Sequence, residues 1–336
     1  MDFDKLCFIS QQFFLDCKVL NIETLDAGCI NNTYIVEYLS DGISSKFILQ
    51  NLSKIFESHE IVNNNHKIIT DQMYNEINNN YFNSPYRRWE VPGLIRCKSN
   101  NLFVFTLESS FWRAMEYISD TLSFDYLEDE IMAYQTGIGL AKFHLICSGI
   151  DASKLVNSIS NFHNTKYYID QYLIALKDFD YTKLKEIENN RVKNLIYYLY
   201  KHLDYVKGLY KSLINSDIDL NVIHGDPKLS NFLFDIEYKY VVAMIDLDTV
   251  SSGYRLTDLA DCIRSICNIS GEDQRKNDNN YFDINTCMYF LKGYFSKINI
   301  NNDSSFKFLI EFIYLIIFEL TIRFLTDFLQ SNKYFK

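Results

Sequence analysis

The 336-residue sequence predicts an α+β protein with two lobes, a small β-rich lobe over residues 1–115 and a larger, mainly helical lobe over residues 116–336. Short runs of β-branched and aromatic residues, separated by turn residues, dominate the first lobe. Apolar residues at helical spacing dominate the second lobe from residue 126 onward. The chain is too long for one simple core, and its 48% hydrophobic residues are enough to fold it throughout.

In the first lobe, the local pattern predicts three strands, at residues 19–26, 33–38 and 46–50. Residues 55–79 are polar and rich in Asn, but their apolar residues recur at helical intervals, which predicts a helix. Two further short strands are expected within residues 93–109, joined by a turn at Asn100 and Asn101.

In the second lobe, the apolar periodicity predicts four helices, at residues 128–147, 166–176, 183–212 and 304–329. One β patch interrupts them, because short apolar runs joined by polar turns occupy residues 221–224, 231–234 and 241–245.

Charge and cysteine usage exclude several classes of protein. A net charge of −10 argues against a nucleic-acid scaffold and against binding to an anionic membrane surface. The longest apolar stretch, residues 306–329, is interrupted by Glu311, Glu319, Arg323 and Asp327 and is expected to be a buried helix rather than a membrane span. The N-terminal residues lack a secretory pattern, and the 8 scattered cysteines are expected to be free thiols, so a cytoplasmic protein is expected.

The segment that carries the chemistry is His-Gly-Asp-Pro-Lys-Leu-Ser-Asn at residues 224–231, followed by Ile-Asp-Leu-Asp at residues 245–248. Phosphoryl transfer needs a carboxylate to orient and deprotonate the attacking hydroxyl, oxygen ligands for Mg²⁺, and cations around the phosphoryl group. Asp226 is the candidate base, Lys228 the cation near the γ-phosphate, and Asn231 and Asp246 the metal ligands. His224 is expected to support the loop rather than to act as an acid or base.

A lone His-x-Asp is more often a turn with a capping Asp. Here the Asn and the Asp-x-Asp stand at the offsets of a kinase catalytic loop, between predicted strands, which favours phosphotransfer. Asp248 is a candidate second metal ligand or a brace for the loop. Asp258 and Asp261 begin a helix, where Asp258 would cap it or hold the catalytic loop and Arg264 could pair with either acid.

These motifs resemble the aminoglycoside phosphotransferase and choline kinase superfamily, and the finer similarity is to N-acetylhexosamine 1-kinase. Four further blocks carry that finer similarity: Gly28–Tyr34, Phe47–Leu52, Phe111–Arg113 and Arg323–Leu329, the last followed by Tyr334-Phe335. The resemblance implies a bilobal protein-kinase-like fold with ATP and Mg²⁺ in the cleft between the lobes. It further implies transfer to the anomeric C1 hydroxyl of an N-acetylhexosamine, a reaction of carbohydrate metabolism.

The resemblance also suggests which residues contact the nucleotide. The turn with Gly28, Asn31, Asn32 and Thr33 would cover the phosphates, although such a segment alone is more often a plain hairpin turn. Gln50 stands where most kinases place a lysine, so that strand offers a hydrogen bond without a charge. The hinge is expected at residues 116–118, where backbone groups of Glu116 and Ile118 would bind the adenine edge.

For the acceptor, the resemblance points to Arg323 and His163 beside Asp226. Arg323 lies among apolar residues and needs a partner or ligand, and a buried ion pair with an acid such as Asp327 is the alternative. A loop-stabilising role for His163 is equally compatible with the sequence. Trp112 is expected to pack at the lobe interface.

The function expected from the sequence is therefore ATP- and Mg²⁺-dependent phosphorylation of an amino sugar. One alternative is a kinase of the same fold that acts on an aminoglycoside, choline, ethanolamine or another amino alcohol. Another is a non-catalytic, pseudokinase-like nucleotide-binding protein. The Gln at position 50, where most kinases have a lysine, suggests this alternative, whereas the presence of Asp226, Asn231 and Asp246 argues against it. No nucleic-acid or membrane partner is expected, and the oligomeric state is open.

Overall fold

The computed structural model describes residues 3–14, 17–25, 30–78, 88–98, 100–180, 182, 186–268, 282–299 and 304–332. Gly28 and the Tyr334-Phe335 pair lie outside these residues. Within these ranges the first lobe has two helices and six strands: α1 (Phe3–Phe13), β1 (Lys18–Leu25), β2 (Asn32–Ser40), β3 (Ile43–Leu52), α2 (His59–Asn78), β4 (Leu94–Ile95), β5 (Phe105–Leu107) and β6 (Ser110–Glu116).

These strands form one antiparallel sheet in the order β1-β2-β3-β6-β4, with β5 also paired to β6. The β2–β3 hairpin turns at Asp41 and Gly42, which both have positive φ, as a two-residue turn between twisted strands requires. Strand β6 was not predicted, although it pairs with β3 from Phe111 to Glu116. This strand brings Arg113 opposite Gln50.

Helix α1 was also absent from the sequence prediction. Its Leu6, Ile9 and Phe13 recur at helical spacing and are buried against the sheet together with Phe47 and Trp112. Trp112 therefore packs in the core of the first lobe, rather than at the lobe interface as expected.

In the part of the second lobe that the structure describes, the predicted helices are present, including the one that contains Asp258 and Asp261, and one further α-helix, α7 (Ile284–Phe295), is found. The described helices of this lobe are α3 (Glu130–Cys147), α4 (Thr165–Asp178), α5 (Glu186–Ile214), α6 (Arg255–Ile266), α7 and α8 (Leu309–Leu329). Helices α3 and α7 approach each other at two glycines. A Cβ on Gly137 would clash with the Phe290 carbonyl, and one on Gly293 would clash with the Tyr134 carbonyl. Of the helices that the structure describes, none offers an uninterrupted apolar stretch of membrane-spanning length.

The β patch of the second lobe consists of two small antiparallel sheets. Strands β7 (Thr121–Leu122), β9 (Phe232–Asp235) and β10 (Val241–Met244) form one, and β8 (Asn221–Ile223) and β11 (Ser251–Gly253) form the other. The segment 224–231 joins β8 to β9, and the segment 245–250 joins β10 to β11. Antiparallel pairing therefore brings both motif-bearing segments to one place.

Helix α2 connects the lobes. Its buried Asn65 donates from Nδ2 to the carbonyls of Val156 (2.6 Å) and Val250 (3.0 Å), which both belong to the second lobe. Since Val250 ends the segment 245–250, α2 is fixed directly against one of the two motif-bearing segments.

Candidate active site

The segment 224–231, hereafter the catalytic loop, is tied to the segment 245–250, hereafter the metal loop. The Ile245 N–H donates to the Asn231 carbonyl (2.9 Å), and the Thr249 hydroxyl donates to the His224 carbonyl (2.9 Å). Gly225 has φ +86°, and a Cβ there would lie 2.6 Å from the Thr249 carbonyl oxygen. Only glycine meets both requirements, so Gly225 permits the close contact between the loops.

Asp258 of α6 holds the start of the catalytic loop. Its fully buried carboxylate accepts hydrogen bonds from the N–H of His224 (2.7 Å), the N–H of Gly225 (2.9 Å) and Nε2 of His144 (2.9 Å). Burial raises the pKa of Asp258, but the hydrogen bonds donated by His144 and by the His224 N–H outweigh this effect, so the net pKa is lowered. Of the two roles expected for Asp258, the structure assigns it loop-holding, because the N-terminus of α6 has no side-chain cap.

His144 is neutral in this arrangement. Its Nε2–H donates to Asp258, and its Nδ1 accepts from the Tyr294 hydroxyl (2.8 Å). Burial lowers the His144 pKa, and the Asp258 carboxylate only partly offsets this effect. The support of the loop thus extends from α6 to α3 and α7.

His224 is also a supporting residue. It is fully buried, its Nε2–H donates to the Ile245 carbonyl (2.9 Å), and its Nδ1 accepts from the Asp226 N–H (3.4 Å). Burial lowers its pKa, so it is neutral at pH 7. Both ring nitrogens are occupied within the two loops, which fits the support role expected from the sequence.

Asp226, the candidate base, has a partly exposed side chain that pairs with Lys228 at 3.1 Å. Burial raises the pKa of Asp226, but the charge and hydrogen bond of Lys228 outweigh this effect, so the net pKa is lowered. The carboxylate is therefore ionised at neutral pH. The Asn231 amide donates to the Asp226 backbone carbonyl (2.8 Å), which fixes the loop between them.

Two of the three predicted metal ligands, Asn231 and Asp246, offer oxygen atoms that suit a hard divalent cation. The Asn231 amide nitrogen is engaged by Asp226, so its Oδ1 remains the acceptor of that side chain. Burial, and then the negative charge of Asp248, raises the pKa of Asp246 to about 7, so a cation beside this carboxylate would relieve an unfavourable charge. Within the described ranges, no group of three or more His, Cys, Asp or Glu side chains could hold a metal ion.

The third predicted ligand, Asp248, is engaged elsewhere. Its Oδ1 accepts from Nη2 of Arg113 (2.5 Å) and its Oδ2 from Nδ2 of Asn31 (2.7 Å), all in a buried setting. The Ser158 hydroxyl donates to its backbone carbonyl (2.5 Å). This geometry favours the bracing role that the sequence left open for Asp248.

The predicted phosphate-covering turn is described in part. The Asn31 side chain is buried and binds Asp248 and the Ser53 N–H (2.9 Å), whereas Asn32 is exposed. Thr33 accepts at Oγ1 from the Gln50 amide (3.0 Å). Asn31 therefore stabilises the turn through its side chain, and Thr33 and Gln50 lie together beside it.

The predicted hinge follows β6. The Glu116 N–H donates to the Gly93 carbonyl (2.9 Å), and the Glu116 carboxylate accepts from the Tyr74 hydroxyl (2.6 Å). Ile118 is buried, and its carbonyl accepts from the Thr121 hydroxyl (2.9 Å). The segment thus continues from the sheet of the first lobe into β7 of the second.

On the opposite side of the catalytic loop, His163 links three segments. Its Nε2 faces the Gly225 carbonyl (2.8 Å), and its Nδ1 faces Oε1 of Glu319 on α8 (3.2 Å). Both partners are acceptors, so both nitrogens carry protons. Burial lowers the His163 pKa, but the hydrogen bond and charge of Glu319 reverse this, and the net pKa is raised.

Arg323 lies one turn beyond Glu319 on α8, with Nη1 3.9 Å from its carboxylate. The guanidinium also lies over the rings of Phe162 (5.4 Å) and Tyr168 (4.9 Å). The ion pair observed at Arg323 is thus with Glu319, where the sequence suggested an acid such as Asp327. His163 and Arg323, both predicted for the acceptor, meet at this one carboxylate.

Sequence reasoning assigned no role to Arg113, Glu319 or His144, which the structure places around the loops. The available signal was a charged residue inside an apolar stretch. Arg113 interrupts the apolar strand β6, and Glu319 interrupts the apolar helix α8. A buried charge of this kind requires a partner, and here the partners belong to the active-site loops.

Comparisons with known proteins identify the family and the fold. Residues 101–288 match the model of the phosphotransferase enzyme family known as APH. The chain is similar to the structure of a microcompartment-associated aminopropanol kinase, with a TM-score of 0.62 and 14% identity over 98% of this chain and 94% of that one. It is also similar to a spectinomycin phosphotransferase in complex with ADP and spectinomycin, with a TM-score of 0.59 and 14% identity over 98% of this chain and 89% of that one.

A third similar structure is a choline kinase from Cryptosporidium parvum Iowa II, with a TM-score of 0.55 and 14% identity over 98% of this chain and 89% of that one. Likeness at such low identity shows the fold, and the predicted kinase-like α+β fold is confirmed. The family match covers more than half of the chain, which confirms the predicted superfamily and enzyme class. The chain belongs to the phosphotransferase enzyme family and is a small-molecule phosphotransferase with a hydroxyl acceptor.

Proposed function

We propose that this enzyme uses ATP and Mg²⁺ to phosphorylate the anomeric C1 hydroxyl of an N-acetylhexosamine, giving the sugar 1-phosphate. The observation that carries the choice of acceptor is the state of the acidic side chains near Asp226. Asp261 pairs with Arg264 at 2.8 Å, and Glu319 pairs with His163 at 3.2 Å. These carboxylates are already neutralised by the protein.

A cationic acceptor would need carboxylates in the protein that are not already paired with other side chains. An amino alcohol or aminoglycoside brings ammonium groups, and desolvating them without a counter-charge is costly. A neutral sugar brings hydroxyl and acetamido groups that need hydrogen bonds only. Arg323, held over two aromatic rings, offers donors beside an apolar surface, which suits such an acceptor.

Asp226 would receive the acceptor hydroxyl. Because the charge of Lys228 outweighs burial and lowers its pKa, Asp226 is ionised and accepts the hydroxyl hydrogen bond. The carboxylate orients the oxygen for attack and takes the proton late, as bond formation acidifies the hydroxyl. Lys228, held 3.1 Å from Asp226, carries the positive charge toward the transferred group.

Asn231 and Asp246 would hold the Mg²⁺, since their oxygens fit a hard cation that takes its remaining ligands from phosphate and water. When bound, the metal neutralises charge on the phosphates. His224, Asp258 and His163 contribute by holding the two loops in place, and none of them needs to exchange a proton for this.

The test is ATP consumption with N-acetylglucosamine, N-acetylgalactosamine, glucose, choline, ethanolamine, aminopropanol and an aminoglycoside, each with and without Mg²⁺. We expect turnover with the acetamido sugars only, and none without the metal. Turnover with an amine-bearing acceptor would replace the sugar with the alternative acceptor class. ATP binding without turnover on any acceptor would favour the non-catalytic alternative.

Two variants test the assigned roles. Asp226→Asn should lower turnover by about 10²–10⁴-fold while ATP still binds, because it removes the proton acceptor and leaves the nucleotide site. Asp246→Ala should abolish the Mg²⁺ dependence of nucleotide binding. Near-normal turnover of the first, or unchanged metal dependence of the second, would remove that residue from its role.

A further inference from the structure

Arg113 is a buried cation without a role in the reaction described so far. Its side chain is 1% exposed, in the middle of β6. Nε and Nη2 donate to Oε1 of Gln50 (3.0 and 2.7 Å), Nη1 donates to Oδ1 of Asn63 (3.4 Å), and Nη2 donates to Oδ1 of Asp248 (2.5 Å). Its partners come from β3, α2 and the metal loop.

These bonds orient groups that face the proposed phosphate site. Gln50 and Arg113 are cross-strand partners, and two donors from Arg113 fix the Gln50 oxygen. The Gln50 amide nitrogen is thereby turned toward Thr33, to which it donates at 3.0 Å. Arg113 therefore fixes the orientation of the Gln50 amide, with its nitrogen on the side of the phosphate-covering turn.

The bond to Asp248 acts on the other wall of the cleft. Asp248 is two residues from Asp246, and its second oxygen accepts from Asn31 of the turn (2.7 Å). Through one carboxylate, Arg113 thus connects the metal loop to the phosphate-covering turn. Three segments thus meet at this guanidinium, and Asp248 joins the phosphate-covering turn to them.

Stability does not account for a cation at this position. A buried ion pair is often no more stable than apolar side chains of similar volume, because both charges lose their hydration. At the position opposite Arg113, β3 carries the neutral Gln50 rather than a cation, while the phosphates of a bound nucleotide require positive charge around them. A guanidinium is always charged and can serve several acceptors at once.

We propose that Arg113 is the cationic positioning residue of the nucleotide site: from β6 it balances the charge of Asp248, which would otherwise repel the phosphates, and it sets the Gln50 amide and the metal loop around them. The proposal rests on the use of ATP in the proposed function. It predicts that the contribution of Arg113 is specific to the phosphates, so that ligands with and without them respond differently to its loss.

The test measures binding of ATP and of adenosine by isothermal titration calorimetry. Arg113→Met should weaken ATP binding by about 10–150-fold, the range for a charge-assisted hydrogen bond, and should change adenosine binding by less than about threefold. The double variant Arg113→Met/Gln50→Lys returns a cation to the cross-strand position, whose Cβ lies about 5 Å away. Its ATP affinity should recover to within about threefold of wild type, again with adenosine binding unchanged.

Equal losses for ATP and adenosine, or no recovery in the double variant, would overturn the proposal and reduce Arg113 to a structural residue. Arg113→Lys decides the question if Arg113→Met does not fold. It keeps the charge and loses the paired donors to Gln50, so ATP binding should be largely kept while kcat falls. Failure of the wild type to bind ATP would instead refute the proposed function, together with this inference.

Discussion

The most informative single change is Asp258→Asn, which keeps the size of the side chain and removes its charge. The carboxylate accepts three hydrogen bonds, from the N–H groups of His224 and Gly225 and from His144. Its two oxygens face donors on both sides. An asparagine has one oxygen, so its amide nitrogen must oppose at least one of these donors.

The expected loss of stability follows from the number of hydrogen bonds that the substitution changes. One buried N–H that loses its acceptor costs about 1–3 kcal/mol. The other two hydrogen bonds change from charge-assisted to neutral and weaken by about 1 kcal/mol each. The free energy of unfolding should therefore fall by about 3–5 kcal/mol, which leaves a protein of ordinary stability folded at 25 °C. Asp226 follows Gly225 directly, and misplacement of a reacting group by about 1 Å can lower the rate by about 100-fold.

The assay combines urea unfolding with steady-state kinetics on the best acceptor. Asp129→Asn is the matched control, because Asp129 caps α3 with one hydrogen bond from the Met132 N–H (2.8 Å). Asparagine caps a helix nearly as well, so this control should change stability by less than about 0.5 kcal/mol and leave kcat unaltered. An Asp258→Asn enzyme with wild-type kcat and a loss below about 1 kcal/mol would refute the claim that Asp258 holds the loop.

Three further outcomes are expected. Burial, followed by the charge of Arg113, lowers the pKa of His66 in the folded protein to about 4. As the pH falls below 6.5, the unfolded state therefore binds a proton that the folded state does not, and the free energy of unfolding decreases between pH 6.5 and 4. The loss should reach about 3 kcal/mol, and urea unfolding of His66→Gln should show a smaller loss over the same range. The His163 pKa is raised, so the stabilisation that protonated His163 contributes is fully present below pH 6.5 and is lost as the pH rises above it. ¹⁵N NMR should find both ring nitrogens protonated at pH 6.5, and a neutral ring would contradict this. Gly137→Ala should cost about 1–3 kcal/mol by thermal unfolding, whereas Gly208→Ala, with open space around its Cα on α5, should not destabilise.

The parts of the fold that the sequence predicted correctly are those with strong local periodicity. The helix expected at 128–147 is α3 (Glu130–Cys147), and the hairpin of β2 and β3 is present. Helix α1 and strand β6 were missed because their apolar patterns are short, and which of their residues are buried depends on the rest of the sheet. Burial on α1 at Leu6 and Ile9 depends on residues of β2, β3 and β6.

The same distinction applies to the site. The catalytic loop has local spacing that identifies it, because its chemistry depends on residues five positions apart. Its supports join residues distant in sequence: Arg113 and Asp248 are 135 positions apart, and His163 and Glu319 are 156 apart. No local pattern records such a contact. Only the isolated charge in an apolar stretch hints that a partner exists.

Asp246 and Asp248 show why residue type alone does not assign a metal ligand. Asp246 was predicted to bind the cation and Asp248 either to bind it or to brace the loop, and they stand two positions apart on the metal loop. The fold provides Asp248 with Arg113 and Asn31, so its charge is balanced within the protein. Asp246 is instead held with φ +61°, and burial and the nearby Asp248 raise its pKa to about 7. A carboxylate in that state gains most from a cation that arrives with a ligand, which is the property required of a site that binds Mg²⁺ together with a nucleotide.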